Sequence, residues 1–236
     1  MAIKQYLEEH KEDLKPWLKN NEQGRVEIKI LPYLQDMDRG FFVEAGALDG
    51  LFMSNTKILE DLGWNGLLVE PSGRAVEQCR KNRKVPVEYC ALVSKDFNNE
   101  FIDGDFVFDG DSGLGALSSI NRHAYQVHSM GKINGISTLV PAHTLDYLFK
   151  KHGIKKVDFL SLDVEGYELE VLKGIDFNEV DISFILLEVN FTNYSLEDAE
   201  KILRDYKNLG CISNFSKESN EGWDGSHQDY LFKKNG

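Results

Sequence analysis

The sequence predicts an α/β fold, a doubly wound and mostly parallel sheet of about seven strands with helices on both faces. Three observations predict it. Short apolar runs alternate with amphipathic segments of helical length through most of the chain. Runs such as Ile185-Leu186-Leu187 are apolar at consecutive positions, which is typical of parallel strands buried on both faces. Glycines follow several of the amphipathic segments, where helices commonly end.

Residues 1–40 predict a helical appendage ahead of one domain at 41–236. Ile3, Leu7 and Leu14 recur at helical spacing among charged residues, and Pro16 interrupts the pattern. We interpret this stretch as a loosely attached amphipathic helix that serves as a packing element, with a substrate lid or a dimer contact as alternatives. Residues 26–37 fit a strand or a helix, and we favour a helix.

From residue 41 onward the predicted strands and helices alternate. The predicted parallel strands are 41–45, 66–70, 87–93, 157–163 and 182–189. The predicted helices are 54–62, 72–84, 144–152, 167–173 and 195–209, the last opened by a capping box of Ser195 and Asp198. Residues 212–215 and 230–233 predict a final antiparallel pair of strands.

Residues 94–143 form a long insertion between the third and fourth parallel strands, rich in Gly, Ser, Asp and Asn. Within it, 106–108 and 136–140 could pair as a hairpin. So long an insertion in a compact domain is usually functional or mobile. We therefore expect this insertion to help bind the molecule on which the protein acts.

The overall charge excludes some classes of partner. Lys plus Arg number 27 and Asp plus Glu 39, a net charge of −12, which argues against a general nucleic-acid or anionic-membrane binder. We interpret the basic residues of helix 72–84 as a solvated face. No apolar window approaches a membrane span, and no signal peptide is evident. The three cysteines lack disulfide or zinc spacing, so a cytoplasmic protein is expected.

Acidic residues cluster where the predicted strands end. In doubly wound sheets, ligands bind at the carboxyl ends of the strands. The acidic residues expected to converge on that rim are Glu44, Asp49, Glu70, Asp163 and Glu188. Two like charges about 4 Å apart repel by about 4 kcal/mol at an effective dielectric constant near 20. A pyrophosphate is therefore disfavoured there.

The glycines between the first strand and the next helix do not match a dinucleotide fingerprint. Gly46 and Gly50 are separated by three residues, and Leu48 stands where the second fingerprint glycine would be. The acidic rim instead suits a ligand with a cationic amine and a sulfonium, as in S-adenosylmethionine. Glu70 would accept hydrogen bonds from both ribose hydroxyls. Ser54, Asn55 and Thr56 would hold the ligand carboxylate through their N–H groups.

Four segments in this order resemble the FkbM-type methyltransferases, over roughly residues 40 to 190. They are Phe-Phe-Val-Glu-Ala-Gly-Ala-Leu-Asp-Gly at 41–50 with Ser-Asn-Thr at 54–56, Gly-Trp-Asn-Gly-Leu-Leu-Val-Glu-Pro at 63–71, Thr-Leu-Asp at 144–146, and Asp-Phe-Leu-Ser-Leu-Asp-Val-Glu-Gly-Tyr-Glu-Leu-Glu-Val-Leu-Lys-Gly at 158–174. The resemblance implies a class I methyltransferase fold, S-adenosylmethionine as donor, S-adenosylhomocysteine as product, and usually O-methylation of a sugar or a secondary metabolite. Many relatives carry Lys where this chain has Ser161.

The donor contacts that we expect come from the strand ends and from the turns that follow them. They are Glu44, Gly46, Ala47, Asp49, Gly50, Ser54, Asn55, Thr56, Glu70, Pro71, Ala91 and Asp163.

Methyl transfer to oxygen is an in-line displacement that needs alignment and a base for the hydroxyl proton. Asp163 is the first candidate base, followed by Glu165, His143 and Glu188. Asp163 could instead bind the ligand amine, or hold a divalent metal together with Glu188, although the sequence has no tight ligand spacing that predicts a metal. His143 is also interpretable as a turn residue beside a helix N-cap.

Other residues have structural interpretations. Glu165 and Glu168 would stabilise a helix start regardless of function. His227 and Asp229 precede the predicted last strand and are interpreted as solvated.

Two other functions stay open: a nicotinamide-dependent oxidoreductase, and a non-catalytic protein that binds S-adenosylmethionine. The expected partner is a small-molecule or glycan acceptor and not a nucleic acid, and a homo-oligomer is possible.

Overall fold

The structure is a computed structural model that describes residues 1–19, 25–105, 119–120, 137–213 and 226–236. The strands are β1 (Phe41–Ala45), β2 (Asn65–Glu70), β3 (Val87–Tyr89), β4 (Ala91–Leu92), β5 (Phe101–Asp105), β6 (Ser119–Ile120), β7 (Ser137–His143), β8 (Lys156–Leu162), β9 (Asp181–Asn190), β10 (Tyr206–Cys211) and β11 (His227–Lys234). The helices are α1 (Ile3–Glu9), α2 (Lys11–Lys19), α3 (Val26–Lys29), α4 (Leu31–Leu34), α5 (Lys57–Asp61), α6 (Gly73–Asn82), α7 (Leu145–His152), α8 (Glu168–Lys173) and α9 (Leu196–Ile202).

The main sheet has seven strands in the order β10-β11-β9-β8-β1-β2-β3. The five neighbouring strands β9, β8, β1, β2 and β3 pair in parallel, whereas β11 runs antiparallel to both β9 and β10. This confirms the predicted mostly parallel sheet and its antiparallel end. The chain order reverses between β1 and β8, so the carboxyl ends of these two strands form the crevice where a ligand is expected.

Helices cover both faces of the sheet, as predicted. On one face, side chains of α7, α8 and α9 pack on apolar strand residues such as Leu160 and Ile185. On the other face, residues of α1 to α6 pack around Phe42 and Phe159. The N-terminal helices belong to this second core, since Ile3 and Leu14 are buried in it. The helical break lies at His10, while Pro16 lies inside α2.

The predicted strand 87–93 divides between two sheets. Val87–Tyr89 forms the edge of the main sheet, while Ala91–Leu92 pairs in parallel with β7 in a second sheet of order β4-β7-β5-β6. Within the predicted insertion, β7 pairs antiparallel with β5. Residues 106–108, proposed as part of a hairpin, lie outside the described residues.

The predicted helix 195–209 is too long. The capping box of Ser195 and Asp198 is present, but α9 ends at Ile202. Tyr206–Cys211 is a strand, because it pairs along β11. The predicted strand at 212–215 is therefore wrong, since residues 212–213 follow β10 and 214–215 lie outside the described residues. None of the helices among the described residues is both long and apolar enough to cross a membrane.

Candidate functional site at the carboxyl ends of the strands

The turn after β1 lies directly against the end of β8. Gly46 has a φ of +83°, and its N–H donates to the main-chain oxygen of Val69 at 3.0 Å. A Cβ at this position would lie 1.8 Å from the main-chain oxygen of Asp163. Both the positive φ and the close approach require glycine. The first glycine of the motif therefore lets two strand ends meet.

Glu44 lies buried beneath this turn and holds the segment that follows it. One carboxylate oxygen accepts from the N–H of Asn55 at 2.7 Å. The other accepts from the hydroxyls of Ser54 at 2.8 Å and Thr56 at 2.7 Å, and lies 3.3 Å from Nη1 of Arg83. Glu44 is thus fixed by its own protein partners.

Ser54 and the two residues after it precede α5, which begins at Lys57. The hydroxyl of Ser54 accepts from the N–H groups of Thr56 at 3.3 Å and Lys57 at 3.1 Å. The side chain of Asn55 donates to the hydroxyl of Ser161 at 3.1 Å. The N–H groups of Ser54, Asn55 and Thr56, which were proposed to hold the ligand carboxylate, therefore all donate to other groups of the protein.

Arg83 is a central residue of this region that the sequence analysis misplaced. Its side chain is completely buried, not part of a solvated basic face. Nε lies 2.6 Å from Glu60, while Nη1 donates to the main-chain oxygen of Gly50 at 3.0 Å. Nη2 donates to the hydroxyl of Thr56 at 3.0 Å. Five planar donors allow one arginine to connect these groups.

Asp49 shapes the middle of the turn. Its Oδ1 accepts from the N–H groups of Leu51 at 2.9 Å and Phe52 at 2.8 Å, and its main-chain oxygen accepts from the Asn82 side chain at 2.8 Å. Gly50 has a φ of +81°, and a Cβ there would lie 2.6 Å from Cγ of Arg83. Asp49 and Gly50 therefore hold the turn against Asn82 and Arg83 at the C-terminal end of α6.

Glu70 joins the end of β2 to the turn after β1. Its two carboxylate oxygens accept from the N–H groups of Leu48 at 2.9 Å and Ser72 at 2.7 Å. It is 1% exposed, and this burial raises its pKa to about 7, against the opposing effect of the two N–H donors. Pro71, the next residue, is partly exposed, and Ala47 is buried in the turn. The carboxylate expected to bind ribose is thus held in place by main-chain groups of the glycine turn.

The segment after β8 is a strained turn supported by a carboxylate. Glu165 has a φ of +57°, a left-handed conformation that is uncommon outside glycine. Glu168 is fully buried, and one of its oxygens accepts from the N–H groups of Val164 at 2.9 Å and Gly166 at 3.0 Å. Its other oxygen accepts from the hydroxyl of Tyr194 at 3.0 Å. Glu168 therefore has a structural role in this turn.

The partly buried Asp163 and Glu165 lie in the same acidic environment as Glu188. Burial is the main reason that the pKa of each is raised well above its ordinary value, and neighbouring carboxylates raise it further. Glu188 is 8% exposed, and its Oε2 has no hydrogen-bond partner among the described residues. The structure thus brings together two of the acidic rim residues, Asp163 and Glu188.

Asp229 extends this acidic group from β11, where it pairs in register with Glu188. It is partly buried, and burial raises its pKa. The interpretation of Asp229 as a solvated residue ahead of the last strand was therefore wrong. The strand begins at His227, three residues earlier than predicted, because pairing with β9 extends it.

His143 and Ala91 lie in the second sheet. His143 ends β7 and stacks on Tyr147, with ring centroids 4.3 Å apart. Burial lowers its pKa, and the charged groups that act on it are Lys151 and Glu88. Its surroundings fit the turn interpretation better than that of a base beside Asp163. Ala91 is buried in β4.

Sequence reasoning missed Arg83, Tyr194 and Asp229. Arg83 and Asp229 were noticed and assigned to solvent, because charge alone does not reveal burial. Tyr194 donates to the main-chain oxygen of Glu188 as well as to Glu168. Nothing in its local sequence signals this contact.

Comparisons with known proteins agree with this architecture. The sequence model of the methyltransferase FkbM domain matches residues 44–209. The search of curated proteins gave no significant match.

Three of the similar solved structures are the following. A TehB-like SAM-dependent methyltransferase from Corynebacterium glutamicum is 8% identical with a TM-score of 0.46, and the match covers 99% of each chain. A methyltransferase from Mesorhizobium loti is 9% identical with a TM-score of 0.46, over 89% of this chain and 99% of the other. TrmK of M. capricolum, solved with S-adenosylhomocysteine, is 11% identical with a TM-score of 0.42, over 84% of this chain and 63% of the other. At these scores, the weight of the comparison rests on the family match.

Proposed function

The chain belongs to the family of FkbM methyltransferase domains, and from this premise we propose that it transfers the methyl group of S-adenosylmethionine to a hydroxyl oxygen of a sugar, a glycan or a secondary metabolite. The family and the sheet order give the coarser statement, that this is a protein with the fold of S-adenosylmethionine-dependent methyltransferases. The acceptor class and the methylated atom are what we add.

The observation that carries the proposal is the position of Glu70. Its carboxylate is fixed at the end of β2 by the N–H groups of Leu48 and Ser72, beside the Gly46 turn. An acidic residue at this strand end accepts from ribose hydroxyls in nucleotide sites of doubly wound folds. The nearby acidic group around Asp163 favours a ligand with positive charge, which the amine and sulfonium of the donor supply.

Oxygen as the methylated atom is supported by the available bases. A hydroxyl must lose its proton as it attacks, whereas the sulfonium donor is already activated. The O–C bond forms as the S–C bond breaks, the sulfur leaves as a neutral thioether, and the proton passes to a carboxylate. Asp163 is our first candidate for that base, with Glu165 second, because burial and neighbouring carboxylates raise the pKa of each, which makes each carboxylate a stronger base.

Binding of the donor product tests the first half of the proposal. Titration calorimetry with S-adenosylhomocysteine should give micromolar binding. Glu70→Gln should weaken it by about tenfold or more, since hydrogen bonds to charged groups contribute about 1.5–3 kcal/mol. Glu88→Gln is the matched control, because Glu88 lies one strand away and contacts Lys151. NADH binding without S-adenosylhomocysteine binding would instead favour the nicotinamide-dependent oxidoreductase.

Methyl transfer tests the second half. The protein is incubated with isotopically labelled S-adenosylmethionine and a panel of hydroxylated sugars and metabolites, and mass spectrometry detects a methyl ether. Less methylated product from Asp163→Asn, with an unchanged amount from Glu88→Gln, would support Asp163 as the base. Tight donor binding with no product from any acceptor would favour the non-catalytic alternative.

A further inference from the structure

Three carboxylates from three different elements converge beside the crevice. Asp163 follows β8, Glu168 begins α8, and Glu188 lies in β9. One oxygen atom from each lies within 4.8 Å of the others. The parallel pairing of β8 with β9 sets Leu162 beside Leu187, which brings the next residues, Asp163 and Glu188, together.

Glu188 provides an independent sign that this cluster has a ligand. Its side chain is nine-tenths buried, and Oε2 has no hydrogen-bond partner among the described residues. The nearest basic group, Nε2 of His227, lies 3.9 Å from the other oxygen, Oε1. A buried carboxylate oxygen without a partner is unfavourable and calls for a specific explanation.

The charge around the cluster is strongly unbalanced. Asp229 adds to the negative charge that acts on both Glu188 and Asp163, and Glu165 adds to that on Glu188. Lys29 and His227 act in the opposite direction, both of them on Asp229. A positive charge placed among the oxygens would remove the repulsion.

We propose that Asp163, Glu168 and Glu188 form a binding site for one hard divalent cation. Oxygen-only donors favour Mg²⁺, Mn²⁺ or Ca²⁺ over softer metals. Oxygens lie about 2.1 Å from Mg²⁺ and about 2.3–2.6 Å from Ca²⁺, so oxygens on opposite sides of an ion are about 4.2–5.2 Å apart. The three oxygens lie within 4.8 Å of one another, which is close enough for an ion of the size of Ca²⁺ to contact all three. For Mg²⁺, whose opposite ligands are about 4.2 Å apart, any pair near this bound would have to move closer.

The surrounding contacts preorganise two of the three ligands. The hydroxyl of Tyr194 lies within hydrogen-bond distance of one oxygen of Glu168 and of the main-chain oxygen of Glu188, and shares its one hydrogen between them. The N–H groups of Val164 and Gly166 fix the other oxygen of Glu168. Such supporting hydrogen bonds orient metal ligands and increase affinity. Glu168, which we described as structural, would then serve both the turn and the ion.

The cation site adjoins the proposed donor site, because the N–H of Asp163 donates to the main-chain oxygen of Ala45 at 3.2 Å, next to the Gly46 turn. An ion there would be positioned to bind the acceptor hydroxyl and favour its deprotonation. That use rests on the proposed function, whereas cation binding does not.

Calorimetric titration of the metal-stripped full chain with MnCl₂, MgCl₂ and CaCl₂ tests the site. We expect one cation per chain, and at least about tenfold weaker binding in Glu188→Gln. Asp229→Asn removes a neighbouring charge but no ligand, so it should weaken binding only a few-fold. Glu197→Gln, whose side chain is 78% exposed on α9, should leave binding unchanged.

Thermal unfolding gives a second measurement that does not depend on activity. Without metal, Glu188→Gln should melt higher than the wild type, because it relieves repulsion. Mn²⁺ should raise the melting temperature of the wild type and not that of Glu188→Gln.

Two results would overturn the site: no saturable cation binding by the wild type, or equal binding by the wild type and Glu188→Gln. S-adenosylhomocysteine titrated into the same metal-free samples separates the two proposals. If the protein binds S-adenosylhomocysteine but no cation, the methyltransferase proposal stands and the metal site is refuted. If it binds a cation but not S-adenosylhomocysteine, only the metal site stands.

Discussion

Glu70 links two segments of the proposed donor site, and its charge changes within the neutral pH range. Two main-chain N–H groups bind its oxygens, and burial raises its pKa to about 7. A ribose hydroxyl donates best to the ionised carboxylate. Donor binding should therefore depend on pH through this residue.

We expect the dissociation constant for S-adenosylhomocysteine to be up to about tenfold smaller at about pH 8 than at about pH 6, since the ionised fraction of Glu70 rises by nearly that factor. Calorimetry at the two pH values measures it. Glu70→Gln should bind weakly with a reduced dependence on pH. An unchanged pH dependence in this variant would assign the titration to another group.

Gly46 allows a second prediction at the scale of one residue. Gly46→Ala places a Cβ 1.8 Å from the main-chain oxygen of Asp163, whereas Gly63→Ala has a similar φ and no atom within 4 Å. Both substitutions incur the left-handed backbone cost of about 1–2 kcal/mol. Only Gly46→Ala adds the clash, so urea unfolding should show a larger loss in the free energy of unfolding for Gly46→Ala than for Gly63→Ala. Gly46→Ala should also lose binding of S-adenosylhomocysteine. Equal losses would refute the close approach.

The candidate site was predictable as a set of residues and not as a set of contacts. Glu44, Glu70 and Asp163 were found because they end apolar strands, and strand ends meet at one edge. That Glu44 binds Arg83 was not predictable, because the two residues are 39 positions apart and α6 must first pack on the sheet. Charge patterns report sequence neighbours, whereas burial depends on the tertiary structure.

Among the elements, α6 and the turn after β1 depend on each other through Arg83. Replacing a buried arginine leaves buried carboxylates without a partner, which typically costs about 3–5 kcal/mol. We expect Arg83→Met to lower the free energy of unfolding by about this amount, through Glu44 and Glu60. Denaturant unfolding measures it.

Lys81→Met is the matched control for Arg83→Met, since Lys81 lies on the same helix and is exposed. Its effect should stay within about 0.5 kcal/mol, as is usual for surface substitutions. Similar losses for the two variants would contradict the role of Arg83.

The C-terminal end of α9 could not be predicted from the local spacing of apolar residues. Leu203, Tyr206 and Leu209 continue the apolar spacing of the helix, so the sequence favours a helix to residue 209. Tyr206–Cys211 instead pairs with β11, and the Tyr206 hydroxyl donates to the main-chain oxygen of Ile182. Pairing with a distant strand decides the structure there.

The acidic cluster determines how the stability of the whole molecule depends on pH. The pKa of Glu70 rises from 4.5 to about 7 on folding, and those of Asp163, Glu165, Glu188 and Asp229 are also raised. The folded state then binds more protons than the unfolded state in this interval. Stability therefore falls as pH rises.

We expect the free energy of unfolding to decrease between about pH 5 and pH 8, with Glu70 alone contributing up to about 3 kcal/mol. Glu88 and Asp198, whose pKa values are lowered, act in the opposite direction at more acidic pH. Urea unfolding across this range measures the slope, and Glu70→Gln should reduce it. Stability that rises toward pH 8 in metal-free buffer would contradict this prediction.

The fold as a whole was predicted from alternating patterns, while the second sheet was not. A parallel sheet with helices on both faces follows from apolar strands and glycine stops. The chain changes sheets at Cys90, between β3 and β4, within one predicted strand. Periodicity cannot distinguish one strand from two that pair with different partners.

This change of sheet has a consequence for how relatives of this protein can diverge. Leu92 pairs beside His143, and the Val93 N–H donates to the His143 main-chain oxygen at 3.0 Å, so the intervening segment departs and returns at adjacent points. Doubling the length of a loop costs only about 0.6 kcal/mol in closure entropy. Because β7 pairs with both β4 and β5, a change of length between β5 and β7 would leave these pairs in place. A chimera that carries another relative's segment here should keep its donor site and inherit that relative's choice of acceptor.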